Sequence, residues 1–136
     1  MADNVSTVMA IYEAFGRGDV PAILERLDPE VEWEKGQRET TVPWLRPRHG
    51  REGAAEFFQT VAEQCEVEVF EPVGEPMAGE HTVAVPTRFR ARVKDSGAVV
   101  GGDFQVHVWW FGDDGQVTGF RHVHDLTADE NALANA

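Results

Sequence analysis

Apolar residues recur every three or four positions in three stretches of the chain, and this spacing is typical of amphipathic helices. The predicted helices are Val5–Phe15 after a capping Asp3 or Asn4, a short helix from Asp19 to Leu27, and a helix from about Arg51 to Ala62. Glycines end the first helix. Asp28-Pro29 ends the second, because the residue before a proline resists the α conformation.

Alternation of apolar and polar residues predicts strands over most of the remaining chain. A short strand covers Val31–Glu34. Four longer strands follow the third helix, at residues 67–73, 82–93, 99–111 and 116–126. The segment Lys35–Gly50 is loop-like, and long ordered loops often cover sites. We expect residues 128–136 to form a short helical or frayed tail.

The order α-α-β-α-β-β-β-β separates the helices from the hairpin-linked strands. This order is typical of an α+β fold in which helices cover one face of an antiparallel sheet. A chain of 136 residues has the length of one domain and buries roughly 68% of its unfolded surface. The sequence contains no internal repeat and no linker, so we expect a single domain over residues 1–136.

Charge and composition narrow the range of partners. The chain carries 24 acidic and 12 basic residues, a formal net charge of −12, which disfavours nucleic acid as a partner. No run approaches 18 apolar residues, and Met1–Asn4 lacks the features of a signal peptide, so we expect a cytoplasmic protein without a membrane segment. The single cysteine, Cys65, excludes an internal disulfide, and its acidic neighbours predict an unreactive thiol.

Several sequence motifs follow one another along nearly the whole chain. They are Ile11-Tyr-Glu-Ala-Phe-Gly-Arg-Gly-Asp19, Leu27-Asp-Pro-Glu-Val-Glu-Trp33, Gly50-Arg-Glu-Gly-Ala-Ala-Glu-Phe-Phe58, His107-Val-Trp-Trp-Phe-Gly-Asp-Asp-Gly115 and Phe120-Arg-His-Val-His-Asp125. In this order the motifs resemble the SnoaL-like and ketosteroid-isomerase-like proteins of the nuclear-transport-factor-like superfamily. The resemblance implies a cone, formed by a curved sheet wrapped on three helices, with an apolar pocket inside. It also implies a homodimer that binds or transforms a small hydrophobic molecule.

The last two strands concentrate histidine and aromatic residues. A period of two places the following residues on one face of the long strand: Asp103, Gln105, His107, Trp109 and Phe111. The corresponding face of the last strand carries Phe120, His122 and His124. Similarity to ketosteroid isomerase implies that these faces line the pocket. The opposite face of the long strand is also apolar and fits a dimer interface, where we expect Arg88, Arg90 and Arg92 of the preceding strand to pair with the partner subunit's acids.

The candidate catalytic residues are His107, His122 and Glu34. The resemblance places His107 where ketosteroid isomerase has a carboxylic acid that donates to the oxyanion, and Glu34 near the position of its general base. The donating tyrosine of that family would fall at Ile11, and Tyr12 is turned from it by about 100°. Proton abstraction beside a carbonyl needs a base, for which Glu34 or His122 is suited, and a donor, for which His107 is suited. The alternative is that both histidines are structural and that Glu34 is solvated.

Large aromatic side chains indicate an apolar ligand, although such rings also form ordinary cores. The predicted substrate-binding residues are Tyr12, Phe15, Trp33, Trp44, Phe57, Phe58, Gln105, Trp109, Phe120 and His124. Trp44 and Leu45 lie in a proline-containing loop where core packing is not assured. We expect them to close the mouth of the pocket over the ligand.

These observations favour an enzyme of the isomerase, cyclase or dehydratase kind that acts by acid/base chemistry without a cofactor. The chain has no phosphate loop or dinucleotide fingerprint, because Gly101-Gly102 lies in a strand. A zinc site formed by His107, His122 and His124 has no supporting spacing signature, so we predict no metal. The alternative function is a non-catalytic ligand-binding or dimerisation module with the same pocket.

Overall fold

The computed structural model describes residues 3–135. Met1–Ala2 of the expected N-terminal segment and Ala136 of the expected tail lie outside the described residues. The helices are α1 (Asn4–Arg17), α2 (Val20–Leu24), α3 (Gly50–Gln64) and α4 (Leu126–Ala134), with a 3₁₀ turn at Pro43–Leu45. The strands are β1 (Leu27–Trp33), β2 (Arg48–His49), β3 (Cys65–Pro72), β4 (Met77–Ala78), β5 (Thr82–Val93), β6 (Val99–Phe111) and β7 (Val117–Val123).

The strands form one curved, unclosed sheet in the order β2-β1-β7-β6-β5-β3, with β4 paired to β5. All strand pairs are antiparallel except β1 with β7, which is parallel. Helix α3 contacts β1, and α1 contacts β5. The predicted α+β cone is therefore confirmed. The expected tail is helical and forms α4, which begins at Leu126, two residues earlier than predicted. The structure adds the short strands β2 and β4 and the parallel pair, which the hydrophobic pattern did not predict.

Helix α1 extends one residue before and two residues beyond the predicted Val5–Phe15, and both of its ends carry capping residues. The Asp3 carboxylate accepts a hydrogen bond from the backbone N–H of Val5 at 3.1 Å. At the other end Gly18 adopts the left-handed conformation with φ 71°, which glycine reaches without steric penalty. Val8 and Ile11 are buried on the side that faces the sheet.

The prediction that the second helix extends to Asp28-Pro29 is wrong. Helix α2 ends at Leu24, and β1 begins at Leu27. The pairing of β1 with β7 is interrupted between Leu27 and Glu32, where Pro29 lies. Pro29 has no N–H to donate to the ladder, so the strand passes over it in an irregular segment.

The long strands β5 and β6 have the predicted bounds, and buried and exposed residues alternate along them. His107 and Trp109 lie on the buried face of β6. Strand β7 ends at Val123, earlier than predicted, because Asp125 accepts a hydrogen bond from the N–H of Ala128 and caps α4. None of the helices within residues 3–135 is long and apolar enough to cross a membrane.

The arginines of β5 lie on the outer face, as the pattern predicted, but two of them have partners in their own chain. Arg88 pairs with Glu71 at 2.5 Å, and Arg92 with Glu68 at 3.5 Å. Because β3 lies beside β5, these acids stand on the neighbouring strand. Arg88 and Arg92 are thus paired within their own chain, and pairing of the arginines with a partner subunit's acids stays a prediction.

Candidate active site

A cavity of about 70 Å³, partly open to solvent, lies between the inner face of the sheet and helices α1 and α3. All of the predicted substrate-binding residues line it, together with His107 and His122. Glu34 lies behind His122. Five lining residues were not predicted as part of the site, namely Ile11, Val61, Phe70, Phe89 and Asp129. Phe89 carried a signal, because it alternates with the exposed arginines of β5, whereas Asp129 lies in a tail for which no packing was predicted.

Aromatic rings form most of the cavity wall. Trp33 packs against Phe120 with ring centroids 4.5 Å apart, and against Phe57 at 5.3 Å. Trp44 and Leu45 are 4% and 3% exposed, so they are packed rather than loosely held. That they close the mouth of the cavity stays a prediction. The interior is suited to an apolar molecule.

Glu34 is fully buried rather than solvated, and its carboxylate holds His122 at two points. Oε1 accepts a hydrogen bond from the backbone N–H of His122 at 3.0 Å, and Oε2 contacts His122 Nδ1 at 2.5 Å. Glu34 has φ 59°, a left-handed conformation that is uncommon for residues other than glycine. Such strain persists where the surrounding structure enforces it, and it is concentrated at functional sites.

The Glu34 contact decides which nitrogen of His122 faces the cavity. Nδ1 donates to the carboxylate, so Nε2 is the nitrogen left for a ligand. A carboxylate behind an imidazole fixes its tautomer and stabilises the imidazolium that forms when Nε2 takes a proton. The Glu34–His122 pair is therefore suited to act as a base.

His107 is held by a chain of hydrogen bonds that begins at Trp109. The indole N–H of Trp109 can only donate, and it donates to the Tyr12 hydroxyl oxygen at 3.1 Å. The Tyr12 hydroxyl lies 2.9 Å from His107 Nδ1. The indole nitrogen of Trp109 cannot accept, so within residues 3–135 His107 Nδ1 is the acceptor in reach of the Tyr12 hydroxyl proton, and the hydroxyl donates to it. His107 then carries its proton on Nε2.

Burial keeps Tyr12 and His107 neutral near pH 7. It raises the pKa of Tyr12 above its ordinary value of 10.0, against a smaller opposite effect of the Trp109 hydrogen bond. Burial also lowers the pKa of His107 well below 6.5, and the neighbouring His122 and His124 lower it further. A neutral imidazole that carries its proton on Nε2 can donate a hydrogen bond from that nitrogen without bearing a positive charge.

Tyr12 points into the cavity although the resemblance placed the donating tyrosine at Ile11. Four residues separate Tyr12 from Val8, so both lie on the same side of α1. The apolar arc of this helix is wide enough to include Ile11 as well as Tyr12. Tyr12 contacts His107 rather than standing as a separate donor to a ligand.

The two histidines face each other across neighbouring strands. His107 and His122 are paired residues of β6 and β7, and their ring centroids lie 4.8 Å apart at 86°. A base and a neutral N–H donor are thus neighbours in the cavity wall, which also includes Gln105 and His124. Within residues 3–135 the structure shows no group of three His, Cys, Asp or Glu residues arranged to hold a metal ion.

Cys65 lies away from this constellation. It is 5% exposed, and burial raises the pKa of its thiol to about 11. The thiol is therefore protonated at neutral pH, in agreement with the predicted lack of reactivity.

Comparison with known proteins agrees with this fold. Residues 8–120 match the SnoaL-like domain, and the chain belongs to this family, which confirms the resemblance. An NTF2-like protein of unknown function from Burkholderia pseudomallei K96243 is 26% identical over 98% of each chain, with a TM-score of 0.78. No curated protein matches the sequence.

Two further structures share the fold at lower identity. TerC, crystallised with polyporic acid, is 23% identical over 96% of this chain and 98% of its own, with a TM-score of 0.76. SalBIII is an epoxide hydrolase/cyclase-like enzyme with a role in pyran ring formation in the polyether salinomycin. It is 23% identical over 91% of this chain and 92% of its own, with a TM-score of 0.71.

Proposed function

We propose that this protein is a cofactor-independent enzyme that moves a proton on a small hydrophobic carbonyl compound, in a reaction of the isomerase, cyclase or dehydratase kind. The observation that carries the proposal is the Glu34–His122 pair facing a neutral His107 inside an aromatic cavity. The structures of TerC and SalBIII support small-molecule chemistry on this fold. An acidic protein with net charge −12 favours a neutral ligand over an anionic one.

In the proposed reaction His122 is the base. Its Nε2 takes a proton from the carbon next to the carbonyl, and the electron pair of that C–H bond moves into the C–C–O system to form an enolate. Glu34 stabilises the imidazolium that results. Where a C=C bond adjoins the enolate, return of the proton from His122 to the far carbon of the dienolate completes an isomerisation. In a cyclisation the enolate carbon instead attacks a second carbonyl carbon of the same molecule, the C=O π bond breaks, and the alkoxide that forms takes the proton back from His122.

His107 is the proposed donor to the enolate oxygen. Its Nε2–H strengthens its hydrogen bond as negative charge develops on that oxygen. Tyr12 and Trp109 do not react in this scheme; they hold the His107 tautomer. Mutagenesis of comparable groups shows factors of roughly 10²–10⁴ for a general base and about 10²–10³ for an oxyanion donor.

The test is the exchange of the acidic α-protons of 2-tetralone, a hydrophobic ketone, for deuterium in D₂O, followed by NMR. We expect the wild-type protein to accelerate the exchange and His122→Gln to lower the acceleration by at least about 100-fold. His49→Gln is the matched control, because His49 is exposed and bonded to Glu30 outside the cavity. Binding of 2-tetralone without faster exchange would instead indicate the alternative, a non-catalytic binding module.

We also propose that the protein is a homodimer formed through the outer face of the sheet. Phe104 is 69% exposed on β6, and Val123 on β7 is 47% exposed. The partly buried Val106, Val108 and Trp110 continue this apolar surface. Contiguous exposed apolar surface is typical of protein interfaces.

A further inference from the structure

A second histidine–carboxylate pair lies in the same cavity and takes no part in the proton transfer described above. His124 Nε2 lies 3.0 Å from Asp129 Oδ2, and the two side chains are 4% and 9% exposed. Asp129 Oδ1 accepts a hydrogen bond from the backbone N–H of Gly101 at 3.3 Å, which fixes the carboxylate. Strand β6 and helix α4 together therefore hold His124 in one orientation.

Two residues that line the cavity each have a buried polar atom without a hydrogen-bond partner in the described range 3–135, the donor Trp33 Nε1 and His124 Nδ1. His124 Nδ1 is buried and has no hydrogen bond to any residue in the described range 3–135. Because Nε2 donates to Asp129, Nδ1 of the neutral ring carries a lone pair and is an acceptor. Buried acceptors in native proteins are satisfied in the great majority of cases, so an unpaired one requires an explanation.

The ion-pair partners of the cavity carboxylates indicate what kind of donor can form a hydrogen bond to His124 Nδ1. Glu34 and Asp129 are each bound to a histidine, so neither carboxylate is free to balance an ammonium group. A neutral donor therefore fits better than an ammonium group, and the hydroxyl group of a ligand is such a donor. The His122 and His124 ring centroids are 6.0 Å apart. One small molecule is therefore long enough to place a hydroxyl beside His124 and a reacting carbon beside His122.

We propose that His124 Nδ1 accepts a hydrogen bond from a hydroxyl group of the substrate, so that the protein selects hydroxylated hydrophobic molecules over their deoxygenated analogues. The inference rests on the proposed function, because that proposal identifies the molecule bound in the cavity as a substrate. His124 is then a specificity-determining residue, and Asp129 is a positioning residue that holds its tautomer. Sites built to bond a hydroxyl discriminate strongly against analogues that lack it, because the protein group is then left unpaired.

The test compares two probes of nearly equal shape, 1-naphthol and 1-methylnaphthalene, by calorimetric titration of the wild-type protein. We expect a preference for the naphthol of about tenfold or more. His124→Phe should remove the preference while both probes still bind. His49→Phe is the control and should retain it, since His49 is outside the cavity.

A second measurement does not depend on the folding of a variant. In the ¹⁵N NMR spectrum of the wild-type protein, His124 should be unprotonated at Nδ1, and this signal should shift with 1-naphthol but not with 1-methylnaphthalene. An equal preference in the wild type and His124→Phe, or an Nδ1 signal that does not respond to the naphthol, would overturn the inference.

The outcomes separate this inference from the proposed function. Selectivity for 1-naphthol without exchange of 2-tetralone protons would support the role of His124 and contradict the proposed acid/base activity. Exchange without selectivity would contradict the role of His124 alone. Absence of binding by either naphthalene would contradict the inference directly.

Discussion

Replacing Glu34 by glutamine tests the base with little change in shape. The amide oxygen of Gln can still accept from the backbone N–H of His122, as Glu34 Oε1 does at 3.0 Å. The amide NH₂ then stands where Oε2 contacts His122 Nδ1. An NH₂ donates rather than accepts, so it favours the His122 tautomer with a bare Nδ1 and the proton on Nε2. That tautomer has no lone pair facing the cavity.

The expected magnitudes follow from this exchange of acceptor for donor. Proton exchange of 2-tetralone should fall by about 10²–10⁴-fold, the range found when a catalytic base is disabled. Stability should fall much less, because a charge-assisted hydrogen bond is replaced by a neutral one, a change of about 1–2 kcal/mol. For a chain of this length each kcal/mol lowers the melting temperature by about 4 °C.

The assay combines exchange rates with thermal unfolding of the same preparations. Glu32→Gln is the matched control, because Glu32 is an exposed glutamate of β1 only two residues away. The control should leave the exchange rate unchanged. A folded Glu34→Gln protein that exchanges 2-tetralone protons within about threefold of the wild-type rate would refute the role of Glu34 in the base.

Three further predictions follow from the structure. The unfolded chain protonates His107 near pH 6.5 whereas the folded protein does not, so this residue should lower the free energy of unfolding by about 2 kcal/mol between pH 7 and pH 5. Urea unfolding at both pH values should show that His107→Phe loses this part of the pH dependence. Trp44→Ala should cost about 3–5 kcal/mol of stability, because a buried ring is removed, and a loss below about 1 kcal/mol would contradict its packing. Sedimentation should give twice the 15.1 kDa mass of one chain, and Phe104→Asp should give the monomer mass; a wild-type monomer at all concentrations would contradict the dimer.

Hydrophobic periodicity was sufficient to predict the elements whose two faces differ. Strand β5 has buried residues opposite exposed arginines, and its predicted bounds are those observed. The short strands β2 and β4 contain two residues each, too few for any period to be visible. Helix α4 was predicted only as a possible tail, since its packing depends on contacts with β6.

The residues of the candidate site could be selected from the sequence, but their partners could not. Glu34 and His122 are 88 positions apart, and their contact depends on the parallel pairing of Trp33 with Phe120 and on the left-handed turn at Glu34. The Tyr12 hydrogen bond to His107 likewise depends on how α1 packs across the sheet. Hydrogen-bond partners of this kind are set by tertiary packing, which the period of a single element does not contain.

The opposite tautomers of the two facing histidines are the central claim, and ¹⁵N NMR of the ligand-free protein at about pH 8 measures them directly. Spectra of His107→Phe and His122→Gln assign the signals. We predict that His122 is protonated at Nδ1 and bare at Nε2, and that His107 is protonated at Nε2 and bare at Nδ1. A His122 ring with its proton on Nε2, or a His107 ring with its proton on Nδ1, would contradict the account.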